Sequence, residues 1–185
     1  MSSTLKAGTI EPAPPIAALP NTQWTRPDYQ LPTPSLQFLF HLECDLEDFK
    51  HIGPGPFGNR TTVLFKGGRF EGPRLRGTIM PGGGDWLITT QHEEMQTAHL
   101  NTRYNLLTHD GATIYIQTSG TSTGETAVYK KLNEDPSVKA DQYRMRLNVT
   151  LEAGDPRYRW VNDGVFIASC GRSGKQVIYD AYQVL

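Results

Sequence analysis

From Leu36 onward the chain alternates apolar and polar residues at period two, the pattern of a strand with one buried face. Leu36, Phe38, Phe40, Leu42 and Cys44 take every second place in LQFLFHLECDLED. The Gly/Pro cluster HIGPGPFGNR then breaks the pattern. TTVLFKGGRFEG predicts a second strand and RLRGTIM a third, which stops at Pro81 and Gly82–Gly84. DWLITTQ predicts a fourth, followed by a polar turn at His92, Glu93 and Glu94. In MQTAHLNTRYNLLT, Leu100, Thr102, Tyr104 and Leu106 share one face, with His99, Asn101, Arg103 and Asn105 on the other. His109-Asp110-Gly111 is a hairpin turn, Asp-Gly being a strong signal for one. ATIYIQTS is the sixth strand, with Tyr115 and Gln117 opposite Ile114 and Ile116. GTSTGETAVYKKLNEDPSVKAD reads as a long polar loop with one short helix. DQYRMRLNVTLE, WVNDGVFIASC and QVIYDAYQVL complete the strands, the last two joined by a hairpin at GRSGK.

Many short strands separated by turns, with no long helical period, predict an all-β fold, an antiparallel barrel or sandwich. The expected form is a lipocalin-like barrel, closed or partly closed, over residues 36–185. Residues 1–35 form a separate lead. Seven prolines fall within residues 1–34. Proline fixes φ and removes a backbone donor, so this stretch is expected to be an irregular or polyproline arm. Trp24, Tyr29 and Leu31 predict that its second half lies against the body.

Composition narrows the picture. Gly and Pro contribute 18 and 13 of 185 residues, which argues against a helical bundle. A net charge of -1 gives no general basic field, so no nucleic-acid partner is expected. No segment has the length and apolarity of a membrane span. The N-terminus lacks a basic region followed by an apolar stretch, so a cytoplasmic location is expected. Cys44 and Cys170 are too few for a disulfide scaffold or a four-cysteine zinc site.

The familiar motifs of chemistry are incomplete. GPGPFGNRT has the glycine spacing of a phosphate loop at Gly53 and Gly58, but Asn59 stands where the lysine belongs. His92, Glu93, Glu94 and His99 do not make the HExxH spacing, and no metal is expected. There is no GxSxG elbow, and both cysteines sit in apolar runs as packing thiols do. What stands out is polar residues inside strands. Each has a plain reading as the solvated side of a sheet. Together they suggest a ligand cavity inside a barrel. Gly82–Gly84 would let the backbone carrying Asp85 and Trp86 approach a ligand closely.

Three ordered segments carry a family resemblance: GPGPFGNRTTVLFKGGRFEGPRLRGTIMPGGGDW, LNTRYNLLTHDGATIYIQTSG, and RYRWVNDGVFIASCGR with the final VIYDAYQVL. They resemble the DUF3237 family, also called UPF0311, over residues 36–185. The resemblance implies a compact antiparallel β-barrel. It also implies kinship with bacterial and fungal proteins, including some from fungal natural-product pathways, where similar barrels act as cofactor-free cyclases, isomerases or pericyclases. Arg60, Gly83, Asp85, Trp86, Arg103, Tyr104, Asp110, Trp160 and Asn162 are among the positions that match the family pattern. Asn101 departs from it, standing where the family often has Asp.

The expected function is therefore a cofactor-independent cyclisation, isomerisation or pericyclic-type rearrangement of an apolar, aromatic or polyketide-like small molecule. The alternative is a non-catalytic carrier barrel, and a homo-oligomer is possible with either. Asp85 or His99 would move a proton, since both residue types perform acid–base chemistry. Arg103 and Tyr115 would stabilise oxyanion charge. Trp86, Trp160 and Phe166 would wall the cavity, with Asn101, Gln117 and Asn162 contacting substrate.

Overall fold

The computed structural model describes residues 31–185 apart from 133, 134 and 136. Ten antiparallel strands form one sheet that closes on itself: β1 (Leu36–Leu46), β2 (Lys50–Gly55), β3 (Gly58–Glu71), β4 (Arg76–Ile79), β5 (Gly84–His92), β6 (Met95–Thr108), β7 (Thr113–Glu125), β8 (Arg144–Ala153), β9 (Val165–Ser173) and β10 (Gln176–Val184). Helix α1 (Thr126–Leu132) follows β7, and a 3-10 turn (Pro156–Val161) precedes β9.

The ring has eight positions. From β1 it runs through β10, β9, β8, β7 and β6, and it closes where β1 pairs with β3. Between β6 and β3, one position is shared by β4 and β5. β5 pairs with the first half of β3 (Asn59–Leu64) and β4 with the second (Gly68–Glu71). β2 lies beside the first half of β3 on the other side, where β1 lies beside the second. Closure removes the open sheet edges that would otherwise invite pairing with other chains.

Period two decides the two faces. On β6, Ala98, Leu100, Thr102, Tyr104, Leu106 and Thr108 are buried, and the residues between them are exposed. One end of the barrel is plugged by side chains. Phe40 and Phe70 meet edge-to-face at 5.7 Å, and Leu106, Ile114, Leu151 and Phe166 are buried nearby. Asn162 closes this end. Its Nδ2 donates to the Ala153 carbonyl at 3.0 Å, and its Oδ1 accepts from the Ala153 amide at 2.8 Å. The other end carries α1 and remains partly hollow.

Three segments depart from the sequence expectation. HIGPG lies in β2, which tolerates Pro54 because it is an edge strand, paired with β3 on one side. GTSTGE continues β7 instead of opening a loop. Val165 rather than Trp160 begins β9, since the 3-10 turn takes Trp160 and Val161. The arm lies outside the described residues up to position 30. Leu31 is exposed, and Ser35 exchanges backbone hydrogen bonds with Leu185 at 3.1 and 2.9 Å.

Candidate functional site

The hollow half encloses a cavity of ≈ 90 Å³ between the plugged floor and α1. Most of its wall is apolar: Leu46, Phe65, Leu87, Leu100 and Met145 are typical. Tyr129 and Leu132 of α1, with Phe49, roof it. Six polar side chains interrupt this wall: Asp85, Thr102, Tyr104, Thr118, Ser122 and Tyr179, with Arg172 among the residues at the α1 end.

Each arrives by strand parity. Asp85 pairs with Thr102, and Thr102 with Thr118, across β5, β6 and β7. The Thr102 and Thr118 hydroxyls lie 2.7 Å apart, and Thr102 Oγ1 also accepts from the Thr118 amide at 3.2 Å. Deeper in the barrel the Tyr104 and Tyr179 hydroxyls bond at 2.7 Å, fully shielded from water. Burial pushes both phenols far above their ordinary pKa. Near α1, Ser122 Oγ and the Tyr129 hydroxyl form a short hydrogen bond.

Among the described residues, Asp85 is the one carboxylate on this wall. It is 8% exposed, and burial raises its pKa from 3.8 to about 6 against the opposing pull of a hydrogen bond from the Asn101 amide at 2.9 Å. A carboxyl group held at that value exchanges protons near neutrality, as general acids and bases do. The preceding glycines place it. A Cβ on Gly83 would stand 2.3 Å from Tyr104 Cβ, and one on Gly84 2.7 Å from the Val63 carbonyl. The backbone can enter β5 this close to β3 and β6 only without side chains.

The other expected site residues lie elsewhere, and the structure does not bring them together in the interior. His99, Asn101 and Arg103 alternate with the buried residues of β6, so they point outward. Tyr115 and Gln117 do the same on β7. Arg103 Nη1 donates to Asn101 Oδ1 at 3.2 Å, and the Tyr115 hydroxyl to Gln117 Oε1 at 3.3 Å, both on the outer surface. Trp86 is 41% exposed, and its carbonyl accepts from Arg60. Trp160 carries the Arg74 guanidinium 3.6 Å from its ring centre, at the plugged end. Phe166 faces inward but belongs to the plug, and Asn162 anchors backbone. Asp85 alone of the ten lines the cavity.

Sequence reasoning missed Thr102, Tyr104, Thr118, Ser122, Arg172 and Tyr179. The signal was parity. Arg172 follows Phe166, Ala168 and Cys170 at period two, a charged residue on an apolar register.

Neither cysteine is poised as a nucleophile, because burial pushes both thiols up to about 12. Among the described residues, no three His, Cys, Asp or Glu side chains come together as a metal site. Nor is any helix there long and apolar enough to cross a membrane.

Fold and site together define a closed antiparallel β-barrel with an apolar interior cavity and one buried carboxyl group. The chain belongs to the family described as "Protein of unknown function (DUF3237)", whose model matches residues 34–184. A UPF0311 protein of Rhodopseudomonas palustris is 28% identical over 83% of this chain and 99% of the relative. A β-barrel-like protein of Acinetobacter baumannii, known from its crystal structure, is 35% identical with a TM-score of 0.74, over 85% of this chain and 99% of that one. An enzyme from Penicillium herquei shares the fold at 19% identity and a TM-score of 0.61, over 85% of this chain and 99% of that one.

Proposed function

We propose that the chain is an acid–base enzyme that acts without a cofactor on a small apolar, aromatic molecule held inside the barrel, and that Asp85 moves the proton. The observation carrying this reading is a buried carboxyl group with a pKa of about 6, the one carboxylate among the described residues that line an apolar cavity. The reaction is an isomerisation or cyclisation. Ionised Asp85 takes a proton from a carbon or hydroxyl beside an unsaturated system. The electron pair shifts through that system, and the carboxylic acid returns the proton at another atom. No atom is lost or gained, so the product is an isomer. An apolar wall around such a carboxyl strengthens its electrostatic interaction with the reacting atoms. Holding the reacting groups in near-attack geometry lowers the barrier by further kcal/mol.

The cavity also limits the substrate. At ≈ 90 Å³ it is smaller than the roughly 150 Å³ of an apolar cavity that holds one benzene ring. The interior therefore takes at most a body of about one ring, and any larger scaffold has to extend beyond it.

The test is proton exchange. The protein is incubated in D2O with a panel of small phenols, β-diketones and enones, and deuterium incorporation and isomer formation are read by mass spectrometry. The reading predicts catalysed exchange with at least one class and its loss in Asp85→Asn. Stoichiometric binding without exchange by the native protein favours the carrier barrel instead.

A further inference from the structure

We propose that the Tyr104–Tyr179 hydroxyl pair is the oxyanion site of the cavity, donating a proton's hydrogen bond to the carbonyl oxygen of a small ketone or enone while Asp85 works on a carbon–hydrogen bond of the same molecule. This rests on the reading that the interior cavity is the ligand site, and it names the substrate class of that site as carbonyl compounds.

β6 and β10 stand four positions apart in the ring of eight, so Tyr104 and Tyr179 come from opposite walls. Their hydroxyls meet across the interior at 2.7 Å. Each satisfies the other with that one hydrogen bond, which uses one of their two protons. Whichever phenol donates, its partner keeps a proton for which no second acceptor stands among the described residues. The pair is held in place: Tyr104 packs edge-to-face on Phe65 at 5.1 Å, and the Tyr179 ring lies 6.1 Å from that of Phe40. Both tyrosines line the cavity. On the plugged side their surroundings are apolar, Phe40 and Leu106 among them, so an occupant of the cavity is what offers the spare proton an acceptor. The titratable groups that act on the pair are the Cys44 and Cys170 thiols, which burial keeps neutral. Burial also keeps both phenols protonated at any working pH, so they serve as donors and not as bases. The Thr102–Thr118 pair holds a spare hydroxyl proton too, but it lies level with Asp85, where the base works.

Such a donor completes the proton transfer. When Asp85 takes a proton from a carbon beside a carbonyl, or from the far end of an enone, the C–H electron pair forms a new C=C bond. The C=O pair moves onto oxygen. In an apolar cavity that oxyanion is costly unless it is hydrogen-bonded. The phenol supplies the bond without giving up its proton, and the second phenol behind it strengthens it. Return of the proton from Asp85 to another carbon restores the carbonyl, so atoms and electrons balance. Tyr104 lies two residues beyond Thr102, the partner of Asp85, which is about 7 Å along β6. One conjugated ring reaches from the carboxyl group to the phenols.

The test compares cyclohex-2-enone with its hydrocarbon isostere 3-methylenecyclohexene on the full chain, native, as Tyr104→Phe/Tyr179→Phe and as Asp85→Asn. The double variant removes both hydroxyls together and leaves neither unmatched, which favours a folded protein. Isotope-edited infrared spectroscopy of the bound enone in the native protein should show a carbonyl stretch below its value in an alkane solvent. In the double variant the stretch should return to the alkane value. Enone affinity should drop about tenfold there, while hydrocarbon affinity stays within about twofold. Native-catalysed deuterium exchange into the enone should slow by about 100-fold or more. An alkane-like stretch in the native protein, no binding of the enone, or a low stretch that survives the double variant overturns the proposal. Should the double variant not fold, the two single variants decide, since at least one must lose the low stretch. Asp85→Asn separates this from the acid–base reading. A low stretch that persists in Asp85→Asn and vanishes in the double variant, with no exchange even in the native protein, leaves the donor standing and removes the base. Exchange lost in Asp85→Asn but untouched in the double variant leaves the base and removes the donor.

Discussion

Replacing Asp85 with Asn should make the protein more stable near neutral pH, because ionised Asp85 is held where its charge is poorly solvated. The variant keeps the side-chain volume and an oxygen to accept the Asn101 amide. The folded carboxyl has a pKa of about 6 against an ordinary 3.8. Between those values the native state binds more protons than the unfolded chain, so stability falls as pH rises through the window. At 1.36 kcal/mol per pKa unit, the gap amounts to about 3 kcal/mol once pH exceeds 6. Urea unfolding of native and Asp85→Asn protein from pH 4 to pH 8 gives the difference directly. Other carboxylates cancel in that difference, including Asp155, which its hydrogen bond from Arg157 holds down at about 2. The two proteins should match near pH 4, with the variant ahead by about 3 kcal/mol at pH 8. A pH-independent difference, or a variant that loses stability as pH rises relative to the native protein, would refute the reasoning. The expected sign is that of a site residue kept at some expense of stability.

Three further outcomes follow from the same geometry. Tyr104→Phe or Tyr179→Phe should each cost about 1–3 kcal/mol by leaving one buried hydroxyl unmatched, while the double variant should cost less than the sum of the two, as a double-mutant cycle on urea midpoints would reveal. Cys44 and Cys170 should resist iodoacetamide at neutral pH in the folded protein and react fully in denaturant, as mass spectrometry of the alkylated chain would register. Arg103→Ala should alter stability by less than about 0.5 kcal/mol and leave proton exchange intact, since its side chain lies on the outer surface. Loss of exchange in a folded Arg103→Ala protein would move the site to the outer face.

The strands were legible because one side of nearly every one is buried, and burial on one side writes period two into the sequence. The misread segments are those where another constraint overrides that pattern. β2 carries Gly53, Pro54 and Gly55 because it is an edge strand, whose free side asks for no ladder donors. The second half of β7 reads as loop because two of its inward positions, on either side of Ser122, are glycines where neighbouring strands leave no room for a Cβ. A Cβ on Gly120 would meet the Arg146 carbonyl at 2.1 Å, and one on Gly124 would meet Tyr143 Cβ at 2.9 Å. For the site, alternation on β6 and β7 separates the two faces, but polarity alone does not tell which of them borders the cavity. Arg103, Asn101, Tyr115 and Gln117 stand on the barrel's exterior, away from the interior cavity. The interior polar groups were masked by the apolar residues flanking them at period two. Thr102 and Thr118 satisfy each other, as Tyr104 and Tyr179 do. Such pairings join residues up to 75 positions apart, and no local pattern announces them. Asp85 was found because the glycine run before it marks a close approach of backbone.

The most direct test of the account is where a small phenol binds. A crystal of the protein soaked with 4-nitrophenol should show the ring inside the barrel, against the apolar wall that carries Asp85. Binding on the outer surface beside Arg103 and Tyr115, with the interior unchanged, would contradict it.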